Sequence, residues 1–360
     1  MKKSLLALAV LGAFAGAANA QTSVSIYGIA DVGVKFDNGG STAGRQWSLA
    51  SGQQSGSRIG FRGTEDLGGG LSAVFTLENG FNIDDGTLGN GGRLFGRQAW
   101  VGLDSKALGS IKFGRQYSSV YNALLAIDPF GINMSGDAQA AYGYGIGKLD
   151  PIARSDNTIT YATPNFGGFT ALLGYKLGEQ AGAFNAGSSK FVGLGYAAGP
   201  LNVQLAYQDT NALGLAVTGG LATVTNAIGL SAAGTGAVGA KVKNTFAGAT
   251  YDFGVAKAHL AFGDTKLQGT ADSTIRNYML GVSAPIGADS VFASWNRVDL
   301  RDVANGKANQ YAVGYSHPLS KRTNLYASVG YTRNDSGVRL NAATNGTSDR
   351  TALVGVRHAF

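Results

Sequence analysis

Residues 201–208 read Leu201-Asn202-Val203-Gln204-Leu205-Ala206-Tyr207-Gln208, apolar at every odd position and polar or small at every even one. A period of two marks a strand with unlike faces, because successive side chains leave a pleated backbone on opposite sides. The same parity recurs in Val24/Ile26/Ala30/Val32/Val34, Phe169/Ala171/Leu173/Tyr175 and Tyr278/Leu280/Val282/Ala284. It recurs again in Tyr311/Val313/Tyr315 and Ala352/Val354/Val356. Each segment runs about 9–11 residues, the length a tilted strand needs to cross a bilayer.

The connections between these segments alternate in length. Short turns fall at 66–70, 105–109, 164–168, 198–200, 252–254, 285–289 and 318–322. Longer polar links fall near 38–51, 82–92, 118–153, 179–189, 209–241, 266–273, 300–307 and 335–349. Eight long links and seven short turns separate about sixteen strands, both termini being counted as strands. Strict short/long alternation belongs to antiparallel transmembrane barrels, with short periplasmic turns and longer outer loops. A soluble β-sandwich also alternates, but its inward face meets a dry core. Here the face opposite the apolar one carries Asp31, Lys35, Arg58, Glu78, Lys176, Gln204, Lys257 and Asn277. Polar inside and apolar outside predicts an all-β, 16-stranded antiparallel transmembrane barrel, and sixteen strands leave an aqueous channel.

Composition agrees. There are 56 Gly and 6 Pro, and charged residues make up 14 % of the chain, against about 25 % in soluble domains. Lys2 and Lys3 precede an apolar run from Leu5 to Phe14, and Ala18-Asn19-Ala20 leads into Gln21. That is the pattern of a secretory signal over residues 1–20 with an A-x-A cleavage site, leaving a barrel over 21–360. Its loss takes the formal charge from +7 to +5 (7 − 2). The excess is spread out, without the clustered basic stripe that nucleic-acid binding needs. Cysteine is absent, so the exported chain is expected to hold together without disulfides. No segment beyond the signal has about 18 consecutive apolar residues, so no spanning helix is expected.

Ala352, Val354, Val356, His358 and Phe360 share one face, and Phe360 ends the chain; an amphipathic final strand with terminal Phe looks like the assembly signal of outer-membrane barrels. Tyr27, Phe36, Trp100, Tyr175, Tyr196, Tyr207, Tyr251, Tyr315 and Tyr331 lie near strand ends, where interfacial girdles would place them. β-Propensity of aromatics accounts for part of this.

For catalysis the sequence offers little. His317 and His358 have outward parity and only His259 has lumen parity. A hydrolase on a barrel needs a nucleophile beside a histidine with a supporting acid or amide. There is no HExxH helix, no Cys/His metal set and no phosphate-binding glycine loop, so neither metal nor cofactor is expected. The informative charges are arginines. In Gly56-Ser57-Arg58-Ile59-Gly60-Phe61-Arg62-Gly63 the apolar face takes Ile59 and Phe61, so Arg58 and Arg62 point into the lumen. In Arg154-Ser155-Asp156-Asn157-Thr158-Ile159-Thr160-Tyr161, Ile159 and Tyr161 go outward and Arg154 inward. Arg97 is ambiguous, since Val101 and Trp100 argue opposite ways.

Residues 118–153 form a link far longer than the 12–15 residues usual for ordered loops, rich in Tyr121, Leu124, Leu125, Ile127, Phe130 and Ile132. Such a stretch needs a cavity to fold into. The runs SVSIYGIADVG (23–33), SGSRIGFRGTEDLGGGL (55–71), RLFGRQAWVGL (93–103), GSIKFGRQYSSVYNALLAIDPFG (109–131), RSDNTITYATPNFGGF (154–169) and VGVRHAF (354–360) together resemble the trimeric general porins of β-proteobacteria. The resemblance covers essentially the whole chain after residue 20. It implies a homotrimer in outer-membrane lipid and lipopolysaccharide, passing small ions and solutes. It also implies that the third outer loop folds into the pore and that Arg58, Arg97 and Arg154 form an arginine wall. Many relatives have Pro-Glu-Phe-Gly in the opposing loop; this chain has Asp128-Pro129-Phe130-Gly131, leaving Asp128 as the nearest acid, with Asp137 and Asp150 further along. Three arginines against one acid predict anion preference.

Arg115 shares parity with Ile111 and Phe113 and so faces out of the barrel, where a charge at midplane costs about 2–4 kcal/mol. The resemblance puts this strand at the subunit contact, which predicts cover by a neighbour's Glu78, Asp84 or Asp85. Stretch 209–241 reads as an exposed outer loop. A substrate-specific channel, a barrel enzyme centred on His259 and an adhesin are the competing readings.

Overall fold

A computed structural model describes residues 23–142, 153–212, 240–268 and 272–360. The expected signal segment, Asp150 and most of 209–241 lie outside the described residues. The strands run β1 Ser23–Asp37, β2 Gln46–Ser51, β3 Arg58–Gly68, β4 Leu71–Gly80, β5 Gln98–Ser105 and β6 Gly109–Tyr117. After the long link come β7 Arg154–Ala162, β8 Phe169–Lys176, β9 Ser189–Ala198, β10 Leu201–Ala212 and β11 Ala240–Asp252. The wall ends with β12 Lys257–Gln268, β13 Ser273–Ile286, β14 Asp289–Leu300, β15 Lys307–Pro318, β16 Thr323–Asn334 and β17 Asp349–Ala359.

From β3 onward each strand pairs antiparallel with its neighbour in sequence, and β17 closes on β1. The first link differs from expectation. Its second half is strand β2, which pairs with Val32–Asp37 of β1 while β3 pairs with Ser23–Ile29. These two pieces share one position in the wall, so seventeen segments make sixteen positions around the cylinder. Closure satisfies every edge, the condition for strands in hydrocarbon. The seam is completed by the terminus itself, where Phe360 and Gly28 exchange two backbone hydrogen bonds at 3.0 Å.

Parity behaves as predicted on the outside. Leu205, Leu260, Leu280, Val313, Val329 and Val354 are exposed on the outer face. Two aromatics are corrections to the girdle. Tyr27 points inward and donates its hydroxyl to Glu78 at 2.9 Å. Trp100 alternates with the exposed Val101 and Leu103 and lies under the Lys112 ammonium, 4.4 Å from its ring centroid. The inner face differs too. It is polar where it meets the channel, but Ala206, Phe246, Ala261 and Met279 form an apolar bed. Onto that bed pack Val120, Ala123, Leu124 and Ile127 of helix α1, Ser119–Ile127.

Arg115 has its acidic partner in its own chain. Its guanidinium meets Asp156 at 2.6 Å and donates to the Gly96 carbonyl at 2.8 Å. Glu78, by contrast, lies in the lumen with Arg97. The register shifts between Gly114 and Gln116, and Gly114 has φ +128°. Such a bulge re-aims a side chain locally. Arg93 reaches the same Asp156 at 2.9 Å, tying the second outer loop to β7. A neighbouring subunit is therefore not required to neutralise Arg115. Arg115→Ala should lower stability by about 1–2 kcal/mol, read as a drop in the heat-modifiable unfolding temperature; no drop would show that Arg93 alone suffices for Asp156.

Candidate functional site: the pore constriction

The long link enters the barrel as α1, continues through a turn and, within the described residues, reaches helix α2, Ala138–Tyr142. Ser118 caps α1, accepting from the Tyr121 amide at 3.1 Å, and α1 stops at Asp128 because Pro129 follows. The Asp128 carboxylate then gathers the turn, accepting from the amides of Phe130 (3.1 Å), Ile132 (2.8 Å) and Ala138 (3.2 Å). Ile132 and Met134 sit at φ +57°, a conformation that disfavours side chains, most of all β-branched ones. It persists because both flanks are held: Asp128 holds Ile132, and the Met134 amide donates to the Gln53 carbonyl at 2.7 Å.

Four consecutive strands hold the rest of the loop by its backbone. Asn277 of β13 donates to the Ala141 carbonyl at 2.7 Å, and Asn296 of β14 to Gly136 at 3.2 Å. Gln310 of β15 donates to the Ser135 carbonyl at 3.0 Å, and Ser328 of β16 accepts from the Ser135 amide at 3.1 Å. His259 fixes the end of α1. Its Nδ1 lies 2.6 Å from the Ile127 carbonyl and its Nε2 2.9 Å from Ser283 Oγ. A carbonyl only accepts, so Nδ1 carries the proton and Nε2 receives the serine hydroxyl. Phe130 meets Phe292 edge-on at 4.8 Å above Gly314, where a β-carbon would come within 2.1 Å of Phe292. Asn296 is fully buried, so Asn296→Ala strips donors from both Gly136 and Gln310. A loss of about 1–3 kcal/mol is expected, with noisier open-channel current as the functional sign.

A second insertion narrows the channel from the other side. Between β2 and β3, residues 52–57 leave the wall and turn inward around Asp31, which has no exposed surface. Asp31 accepts from the amides of Gln53 (3.2 Å), Gln54 (3.0 Å) and Ser55 (2.6 Å) and from the Tyr326 hydroxyl.

Between the two insertions lies a cavity of about 440 Å³ lined by Arg58, Arg97, Arg357, Tyr117, Tyr121 and, on the loop side, residues 129–134. Arg58 Nε donates to the Gly56 carbonyl at 2.8 Å, and Arg357 Nε to Ser55 Oγ at 3.0 Å. The 52–57 insertion thus aims two of the three guanidiniums. Arg97 precedes the first residue of β5, so strand parity does not bind it; it enters the lumen and pairs with Glu78 at 2.7 Å and Tyr117 at 3.0 Å.

Two expected members are displaced. Arg154 has the inward parity expected but does not line the cavity; it is 6 % exposed, stacked on Tyr117 and Tyr121 with its guanidinium carbon 5.0 and 5.7 Å from their ring centroids. The two tyrosines stack on each other at 4.6 Å and stand over it. Asp128 is 6 % exposed and turned into the loop, and burial pushes its carboxyl up to about 7. Asp137 is buried as well, accepting from the Gln139 amide at 2.8 Å. No residue lining the cavity, among the described residues, is acidic. Arg62 faces the lumen beside Tyr27 (5.2 Å) and also lies off the cavity. Arg357 was missed, although it alternates with the outward Val354, Val356 and His358 and its inward aim was open to the same parity argument. The 52–57 insertion has no periodicity to announce it.

The profile of the Gram-negative porins matches residues 7–337. The chain is a Gram-negative porin. An outer membrane porin protein of Bordetella pertussis is 36 % identical over the full length of both chains. Outer membrane porin protein 32 of Delftia acidovorans is 37 % identical, again over the full length of both. Among solved structures, an anion-selective porin from Comamonas acidovorans is 31 % identical with a TM-score of 0.80, over 94 % of this chain and all of the other. The porin therefore resides in the outer membrane as a multi-pass barrel and forms a channel across it. Its strand lengths, outward grease and wet constriction are the physical expression of that role.

Proposed function

We propose that this porin passes small hydrophilic solutes by passive diffusion and prefers anions, with Arg58, Arg97 and Arg357 setting the preference. The observation that carries this reading is three guanidiniums around the cavity between the two insertions, with no acidic residue in its lining. Glu78, outside the lining, offsets Arg97 by a direct ion pair and Arg58 from a longer range, so three guanidiniums still stand against one carboxylate. At about 6 Å a unit charge changes an ion's energy by roughly 0.7 kcal/mol at the permittivity of water. That biases traffic without trapping it, as conduction requires. The similarity to a porin described as anion-selective supports the same sign. Arg154 acts from behind, stiffening the tyrosine pair rather than touching the ion.

His259 serves as a peg for the loop in this reading, its Nδ1 proton committed to the Ile127 carbonyl, so the Ser283–His259 contact has no catalytic role. The working unit is a homotrimer set among outer-leaflet lipid and lipopolysaccharide after loss of residues 1–20. The exposed apolar side chains of Val24, Ile26, Val101, Ile111 and Phe113 suit a covered wall on β1–β6. Reversal potentials across a planar bilayer under a KCl gradient test the sign; a cation-preferring potential rejects the proposal.

A further inference from the structure

Helix α1 carries apolar residues on two sides. Val120, Ala123, Leu124 and Ile127 pack on the barrel wall, as an amphipathic helix laid on a hydrophobic bed should. Tyr121 and Leu125, one turn apart, stand on the side turned away from that bed, and Pro129 follows just beyond the helix end. Leu125 is 44 % exposed, although it lines the channel and not the lipid face. A single bare leucine is ordinary, but this one belongs to a patch: Tyr117, Tyr121, Pro129 and Phe292 line the same cavity. Apolar surface kept in water at that place gives up stabilisation that burial would supply.

The cavity thus has two unlike surfaces, the apolar patch and the guanidiniums of Arg58, Arg97 and Arg357. They adjoin at Arg97, which donates to the Tyr117 hydroxyl at 3.0 Å. A bare inorganic anion uses the guanidiniums and leaves the patch wet. A neutral hydrocarbon uses the patch and leaves the cations without a counter-charge. A ring bearing one carboxylate answers both, because guanidinium forks match carboxylates and also stack on flat rings. We infer that the cavity is a weak binding site for ring-bearing monocarboxylates, the carboxylate held at Arg58 and Arg357 and the ring laid on Tyr121, Leu125 and Pro129. The inference rests on the anion-preferring reading above and adds the solute class and the apolar residues that choose it. Space is sufficient: an enclosed protein cavity of about 150 Å³ takes benzene, and this one has about 440 Å³.

Single-channel chloride current in a planar bilayer tests this with three added probes: benzoate, acetate and benzamide. Benzoate should block the current saturably, while acetate has the charge without the ring and benzamide the ring without the charge. Ring and patch together losing about 60 Å² of apolar surface to water should set benzoate's half-blocking concentration about tenfold below acetate's. Leu125→Gln keeps helix propensity and should raise benzoate's half-blocking concentration about threefold, roughly half of that contact being Leu125's. Arg58→Ala combined with Arg357→Ala should abolish the difference between benzoate and benzamide. Block by acetate or by benzamide at the concentrations where benzoate acts overturns the inference, as does an unchanged benzoate block in Leu125→Gln. Reversal potentials in a KCl gradient are read on the same channels. A cation-preferring sign sinks the anion reading, whereas an anion-preferring channel that benzoate blocks no better than acetate sinks this inference alone.

Discussion

Arg58→Ala combined with Arg357→Ala is expected to cut the anion-to-cation permeability ratio about fifteenfold. The two guanidiniums line the cavity and, unlike Arg97, neither is in direct ion-pair contact with a carboxylate among the described residues, Glu78 acting on Arg58 only from a longer range. A unit charge about 6 Å from a passing ion contributes roughly 0.7 kcal/mol in water-like surroundings. A Debye length of about 10 Å at 0.1 M salt roughly halves this. The charge favours an anion and disfavours a cation by the same amount, so each arginine separates them by about 0.8 kcal/mol, or about fourfold. Two independent arginines multiply to about fifteenfold. The check is the reversal potential at two salt concentrations, since the loss should shrink as the salt rises. Arg154→Ala in parallel should move the ratio far less, because Arg154 is covered by the tyrosine stack.

Asp31→Ala should have the largest structural effect of any single replacement in the constriction. The carboxylate holds three consecutive amides of the 52–57 insertion and the hydroxyl of Tyr326 from the far end of the chain. Each buried donor left without an acceptor costs about 1–3 kcal/mol, and lumen water can answer some of them. A net loss of about 3–5 kcal/mol follows, visible as a lower unfolding temperature in detergent. Function should change in a specific way. Arg58 and Arg357 take their aim from Gly56 and Ser55 within that insertion, and Met134 of the opposing loop leans on Gln53. Release of the insertion widens the channel and scatters the charges together, so single-channel conductance should rise while anion preference falls. Asp31→Asn, which keeps an acceptor oxygen, should lie between. Stability loss with unchanged conductance would show that the insertion keeps its place by other contacts.

Much of this molecule could be read before any coordinates. Leu201 to Gln208, and the segments sharing its parity, place sixteen strands because each residue partitions between lipid and water on its own account. The link at 118–153 called for an internal cavity for the same reason: Leu124, Ile127 and Phe130 had to leave water somewhere. Arg58 and Arg62 followed from their flanking Ile59 and Phe61, and Arg357 was equally legible on the last strand. Arg97 was not, since a residue one step outside a strand escapes its alternation. Arg115 was legible in direction but not in partner, because Asp156 lies beside it only through the pairing of β6 with β7.

What local order in the chain settles by itself is the cylinder: which side chains face hydrocarbon, which face water, and where the chain turns. Those choices need only nearest neighbours and a solvent on each side. The width and charge of the passage belong to closure. Asp31, Gln53, Tyr326 and Arg357 meet only because β17 returns to β1, and Asp128 serves the loop's own amides only once that loop is packed on Phe246 and Met279. A carboxylate turned inward by such packing and one standing in the current read alike as letters, and only the folded barrel separates them.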